Sequence, residues 1–145
     1  MMSVDGRFVD ANILVYAAVE DDVRHARCRK LLTDKTAGTL FLSSQILTEF
    51  ISVITSAKRV TKPFTPEEAV GFIEALLDYA NVVLLPISSD VPSRWLALIK
   101  RSPVRGARVF DFQIAATMLV HGVVRLVTFN GDDFKSIHEI EIVEP

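Results

Sequence analysis

Four places in the sequence set oxygen-bearing side chains where an α/β chain does its chemistry. They are Asp10 directly after Phe8-Val9, Glu49 within a helical stretch, Asp111 after Phe110, and the run Asn130-Gly131-Asp132-Asp133. In an open parallel sheet, ligands collect just beyond the carboxyl ends of the strands. One carboxylate grips a divalent cation poorly, whereas several grip it well. If the four places converge on one edge, their like charges raise the pKa of one or more members and destabilise the protein until a cation joins them. Hard oxygen donors, with no cysteine pair and no conspicuous histidine pair, favour Mg²⁺ or Mn²⁺ over zinc. His25, His121 and His138 are expected at the surface or at helix ends, because none has a second histidine at metal spacing.

Convergence depends on the elements that carry these residues. Arg7 to Val9 reads as a first strand and Ala11 to about Val19 as a helix, separated only by Asp10. After the acidic turn Glu20-Asp21-Asp22, Val23 to about Asp34 has helical spacing, with Ala26, Leu31 and Leu32 inward and Arg27, Arg29 and Lys30 on a solvated face. Thr39 to Leu42 is a second strand, running into Ser43-Ser44, both good N-cap residues. In the helix from about Gln45 to Lys58, Ile46, Leu47, Phe50, Ile51, Val53, Ile54 and Ala57 form one apolar stripe. Glu49 falls at its margin, where core meets cleft. Thr65-Pro66-Glu67-Glu68 combines an N-cap, an N1 proline and an N3 glutamate and opens a helix to about Tyr79. Val82 to Leu85 is an unbroken apolar run, expected of a strand buried on both faces.

Asp90 to Lys100 is a further helix with Trp95, Leu96 and Ile99 inward, and Lys100 to Arg108 is a basic loop broken by Pro103 and Gly106. Asp111 opens a helix that runs from Phe112 to His121 and is closed by Gly122. Arg125 to Thr128 is a strand, Phe129 to Phe134 a turn, and Glu141 to Val143 a last strand. Strands alternating with helices imply a parallel sheet covered on both faces. The expected architecture is an α/β three-layer sandwich, and 145 residues, half of them hydrophobic, suit one domain with a substantial core.

Bulk composition narrows the partners. A net charge of −2 is not that of a basic nucleic-acid-binding domain, so a polyanion would have to be held by local charge or through a metal. The single cysteine, Cys28, rules out an internal disulfide and suits a reducing cytoplasm. Met1 to Arg7 lacks an apolar signal region, and no apolar run approaches the roughly 18 residues that span a bilayer. A cytoplasmic protein is therefore expected.

Each acid also has an ordinary explanation. Asp10 and Asp111 are both placed to cap helices, which stabilises by about 1 kcal/mol and involves no catalysis. Asn130 to Asp133 is common turn chemistry, Glu49 could be a surface acid, and the basic loop could be solvated surface. The combination favours function over these separate readings.

The chain resembles the PIN domain family, and within it the VapC-like toxin ribonucleases of toxin–antitoxin pairs. The resemblance is carried by Val9-Asp10-Ala11-Asn12-Ile13-Leu14, Ser43-Ser44-Gln45-Ile46-Leu47-Thr48-Glu49-Phe50, Asp111-Phe112-Gln113-Ile114-Ala115-Ala116 and Val127-Thr128-Phe129-Asn130-Gly131-Asp132-Asp133-Phe134, in order along essentially the whole chain. It implies about five parallel strands between helices and an acidic pocket that binds Mg²⁺ or Mn²⁺ and cleaves RNA. By motif, Asp10, Glu49 and Asp111 correspond to the core acids. The fourth ligand falls either to Asn130, where relatives often have Asp, or to Asp133. Phe112 stands where a small residue is commoner, which bears on packing.

The implied chemistry is metal-assisted phosphodiester hydrolysis, in which the cation polarises the phosphate and acidifies a bound water. Asn12, Ser44 and Thr128 are expected to orient ligands or metal-bound water, and Lys58, Arg59, Arg105 and Arg108 to contact RNA phosphates. The resemblance further implies a VapB-like antitoxin and a homodimer. Two rivals remain. One is a PIN-like module that binds RNA or protein without cutting. The other is a haloacid-dehalogenase-type phosphotransferase, which needs an acid where this chain has Asn12.

Overall fold

The computed structural model describes residues 4–145. Five short strands, β1 (Arg7–Val9), β2 (Leu40–Leu42), β3 (Val82–Leu84), β4 (Arg125–Val127) and β5 (Glu141–Val143), form one sheet in the order β3-β2-β1-β4-β5. Every pairing is parallel. The central strand carries Phe8 and Val9, both fully buried, with Phe8 in register with Phe41 on one side and Leu126 on the other.

Six helices fill the crossovers: α1 (Ala11–Ala18), α2 (His25–Thr33), α3 (Ser44–Ile54), α4 (Pro66–Leu77), α5 (Val91–Arg101) and α6 (Arg108–Val120). The chain steps from β1 through β2 to β3 in one direction, then returns to β4 and β5 on the far side of β1. With right-handed crossovers, that reversal puts α1 to α4 on one face of the sheet and α5 and α6 on the other. The packing agrees: α1 meets α2 and α3, α3 meets α4, and α5 meets α6. The reversal also creates a crevice beside β1, the kind of place where open α/β sheets bind ligands.

Local chemistry explains several boundaries. Thr65 and Glu68 complete the expected capping box at the start of α4. Gly6 sits at φ +126° where a Cβ would come within 2.6 Å of the Phe41 ring and 2.8 Å of the Thr39 carbonyl oxygen, so only glycine brings the chain into β1 along this path.

Some expectations needed correction. Val82 to Leu85 is not buried on both faces: β3 is the sheet edge, and Val83 and Leu84 are 40% and 43% exposed. An apolar run does not reveal whether a strand has one neighbour or two. In α2, Ala26 points to solvent and Cys28 fills the inward place; in α5, Leu96 points outward and Leu98 is the buried residue. The helix carrying Glu49 ends at Ile54 rather than Lys58, and α6 starts at Arg108, so the basic loop is shorter than expected. The reading of Met1 to Arg7 falls partly outside the described residues.

Candidate active site

Asp10 ends β1 and caps α1. Its backbone is extended (φ −74°, ψ 155°), and its Oδ1 accepts the Ala11 N–H at 2.7 Å, so the capping expectation holds for this acid. The Asp10 N–H still donates to the Val127 carbonyl at 3.0 Å, which carries the β1–β4 ladder one residue past the strand. The carboxylate is only 6% exposed. Thr128, 1% exposed and just past β4, donates its hydroxyl to Asp10 Oδ2 at 2.8 Å.

The same hydroxyl oxygen accepts from Asn12 Nδ2 at 3.2 Å and from the Asn130 N–H at 3.0 Å. One donation and two acceptances use its full capacity. Asn12 Oδ1 in turn accepts the Phe129 N–H at 3.4 Å. Two strand ends over a hundred residues apart in sequence are thereby stitched around one carboxylate.

The other acids are held more loosely. Glu49, half-buried on α3, accepts at Oε1 from Gln45 Nε2 at 2.9 Å, and the same amide donates to the Phe110 carbonyl at 3.0 Å. Gln45 therefore ties α3 to α6. Asp111 lies in the first turn of α6, where the helix dipole favours an anion. It is not the N-cap, because α6 begins three residues earlier behind Ala107, whose side chain caps nothing. Asp133 lies in a 3₁₀ turn (Gly131–Phe134), and Arg108 Nη2 donates to its carbonyl at 2.8 Å.

Electrostatics show that these side chains share one region. Burial pushes the Asp10 carboxyl up, the Thr128 and Ala11 hydrogen bonds oppose that, and the Asp133 charge adds to the rise. Glu49 is raised by burial, against its Gln45 hydrogen bond, and further by the Asp10 charge. Asp111 is pushed up to about 6 by burial and then by the charges of Asp133, Asp10 and Glu49, with Arg108 opposing. Asp133 thus repels Asp10, Asp10 repels Glu49, and Asp111 feels the charges of all three. Of the two candidates for the fourth place, Asp133 is the one whose charge reaches the other acids. Asn130 is exposed and takes part through its backbone N–H.

The remaining expected residues divide. Asn12 and Thr128 are built into the Asp10 network, while Ser44 is exposed at the start of α3 and its recorded bond is a carbonyl accepting from Thr48. Arg108 reaches Asp111 and Asp133. Lys58, Arg59 and Arg105 are exposed and exert no recorded influence on the acids. Gln45 was missed, although its position one helical turn before Glu49 was a usable signal. Its Oε1 and the Ser43 hydroxyl oxygen are buried without a partner.

The donor set suits a hard divalent cation: oxygen ligands only, partly desolvated and mutually repelling. Among the described residues, no three acidic, histidine or cysteine side chains already stand in a ligating arrangement. Mg²⁺ commonly takes only one or two carboxylates and completes its shell with water and substrate oxygen, so the convergence is compatible with such an ion.

The PIN domain description matches residues 7–140. A VapC ribonuclease of Mycobacterium bovis, Mb2897, is 39% identical over 72 residues, as is ribonuclease VapC43 of Mycobacterium tuberculosis. The matched segment is 48% of this chain, and the chain spans about half (48%) of the length of those relatives. Among solved structures, Mycobacterium tuberculosis VapC20, described as a sarcin-ricin-loop-cleaving toxin, superposes with a TM-score of 0.71 at 20% identity, covering 96% of this chain and 99% of that one. VapBC2 of Rickettsia felis, solved on a DNA fragment from its promoter, gives 0.66 at 20% identity over 96% and 98%. FitAcB of Neisseria gonorrhoeae gives 0.63 at 15% over 96% and 97%.

Proposed function

This chain belongs to the PIN domain family, and from that premise we propose that it is a Mg²⁺- or Mn²⁺-dependent endoribonuclease, the toxin of a VapBC-type pair. The observation that carries the reading is the Asp10 carboxylate, nearly buried, bonded by Ala11 and Thr128, and facing the charges of other acids. A group held this way costs stability as a bare anion and gains it beside a cation.

Asp10, Asp111 and Glu49 would hold the metal, with Asp133 as the fourth acid. When bound, such an ion supplies Lewis-acid polarisation of the phosphate and a more acidic water. Thr128 and Asn12 keep the Asp10 carboxylate in one orientation, and Ala11 donates to its other oxygen. Gln45 fixes the Glu49 carboxylate against α6. Arg108, anchored on the Asp133 carbonyl, puts a cation where the substrate backbone approaches.

A small VapB-like antitoxin is the proposed partner, supported by relatives crystallised as toxin–antitoxin complexes. We extend the proposal to a homodimer acting in the cytoplasm; no helix among the described residues is long and apolar enough to cross a membrane. The test is cleavage of single-stranded RNA with and without Mn²⁺. Asp10→Asn should lower the rate by about 10²-fold or more, of the order seen when one charge-stabilising group is removed, while circular dichroism shows the variant still folded. Full activity in Asp10→Asn would sink the reading, and metal-independent RNA binding without cleavage would move it to a non-cutting module.

A further inference from the structure

Next to the acids, on the residue that follows Thr128, lies an arginine–aromatic group that none of the roles above uses. The Phe129 ring meets the Tyr16 ring edge-on, with centroids 5.4 Å apart. The Arg24 guanidinium carbon is 3.6 Å from the Tyr16 centroid and 5.6 Å from that of Phe129, and the Arg27 guanidinium carbon is 5.4 Å from the Phe129 centroid. Guanidinium groups at these separations are attracted to the ring faces.

The two arginines differ in what else they do. Arg24 is committed: its Nε and Nη2 donate to the two carboxylate oxygens of Asp22, both at 2.9 Å. Arg27 is exposed, and among the described residues it has no recorded ion pair or hydrogen bond. Its contact is with an aromatic ring rather than with a carboxylate, which leaves the planar donor fork open for an anion. Phe129 is itself fixed by the Asp10 network, through its N–H on Asn12 and its neighbour Thr128. An unneutralised guanidinium therefore lies over the ring of the residue next to Thr128.

We infer that Arg27 binds a backbone phosphate of single-stranded RNA beside the nucleotide at the acids, with Phe129 and Tyr16 as positioning residues. A strand entering a cleft of several carboxylates in a protein of net charge −2 needs a local cation close by. Arg27 offers such a cation over the ring of Phe129, the residue that follows the hydroxyl bonded to Asp10. This closeness favours the polymer at the acids over a separate acidic protein. The choice of RNA rests on the nuclease reading, but the test does not need cleavage.

A fluorescent single-stranded oligoribonucleotide is titrated with the full chain in EDTA over a range of salt concentrations. Arg27→Ala should weaken binding at low salt roughly 10-fold and reduce the slope of log K against log salt by about 0.7, the value for one phosphate on a single strand. Arg27→Lys should keep the slope while losing part of the affinity. Phe129→Leu should weaken binding less than Arg27→Ala; if it does not fold, the exposed Arg27 variants decide alone. With Mn²⁺, Arg27→Ala should raise KM and spare kcat.

Unchanged affinity and slope in Arg27→Ala overturn the inference while leaving the nuclease reading standing. Loss of binding in Arg27→Ala by a protein that never cuts would support the inference and remove the nuclease. A wild-type chain that does not bind the RNA overturns it outright. So does an Arg27→Ala protein that keeps RNA but loses poly-glutamate, which would assign the surface to an acidic protein.

Discussion

The two sides of the acidic cleft are built by different rules. Around Asp10, each oxygen of the carboxylate accepts one hydrogen bond and the whole capacity of the Thr128 hydroxyl is used, in bonds of 2.7–3.2 Å between β1, α1 and the end of β4. Across from it, Glu49 and Asp111 stand on two helices linked by one glutamine, and their carboxyls are raised first by burial and then by the charges of neighbouring acids. The first side is set before any ligand arrives. The second stores unfavourable charge that a cation or an incoming proton relieves. In the proposed metal site the two sides are complementary: one would supply geometry, the other the drive to bind.

The largest test of this contrast removes the hub of the fixed side. Thr128→Val keeps the shape but strands the buried Asp10 Oδ2 and leaves the half-buried Asn12 Nδ2 and the Asn130 N–H without their shared partner. Chemical denaturation should show a loss of about 1–3 kcal/mol, the usual cost of stranding buried polar groups. Thr128→Ser should recover most of it. If Val is as stable as Thr, the fixed side is not fixed by this hydroxyl.

The strained side makes the opposite prediction. The folded pKa of Asp111 is raised to about 6 from an ordinary 3.8, so between those values the folded protein holds more protons than the unfolded chain. Stability without metal therefore falls as pH rises through that window and levels off above it. The melting temperature in EDTA should be higher at pH 5 than at pH 7, and Mn²⁺ should reverse the loss at pH 7. Asp111→Asn should raise the metal-free melting temperature at pH 7, flatten its pH dependence and abolish the Mn²⁺ response. A flat profile in the parent protein would mean that the acids are too well solvated to repel.

The smallest effect belongs to the link between the helices. Gln45→Ala frees the Glu49 carboxylate without removing it. It should weaken the Mn²⁺ dependence of cleavage by a few-fold, as expected for loss of one neutral hydrogen bond to a ligand, with little change in melting temperature. A change as large as that of Glu49→Gln would show that orientation, not charge, dominates on this side.

Much of this was legible in the sequence, for a physical reason. The strand–acid–helix junction at Asp10 and the apolar stripe of α3 are local patterns, and local patterns survive in one dimension. Asp111 was placed in the right region with the wrong start, because Arg108 opens α6 behind Ala107 with no capping side chain to mark it. The edge position of β3 was invisible because it depends on strand order. The bonds from Asn12 and Asp10 to Thr128 span 116 and 118 residues, and no spacing rule reaches that far. The charges of α2 read as a solvated face, and only the fold shows that one of them lies over Phe129.

The return of the chain across β1 also sets an order of events during synthesis. Asp10, its Ala11 cap and the partner strand β2 emerge from the ribosome early, whereas β4 and Thr128 come near the end. Until they arrive, the first carboxylate lacks its hydroxyl and one side of its crevice is missing. A prematurely terminated product that stops short of Thr128 carries Asp10, Glu49 and Asp111 without the hydroxyl that bonds Asp10 Oδ2. For a protein whose proposed action harms the cell that makes it, the site comes together only in nearly finished copies.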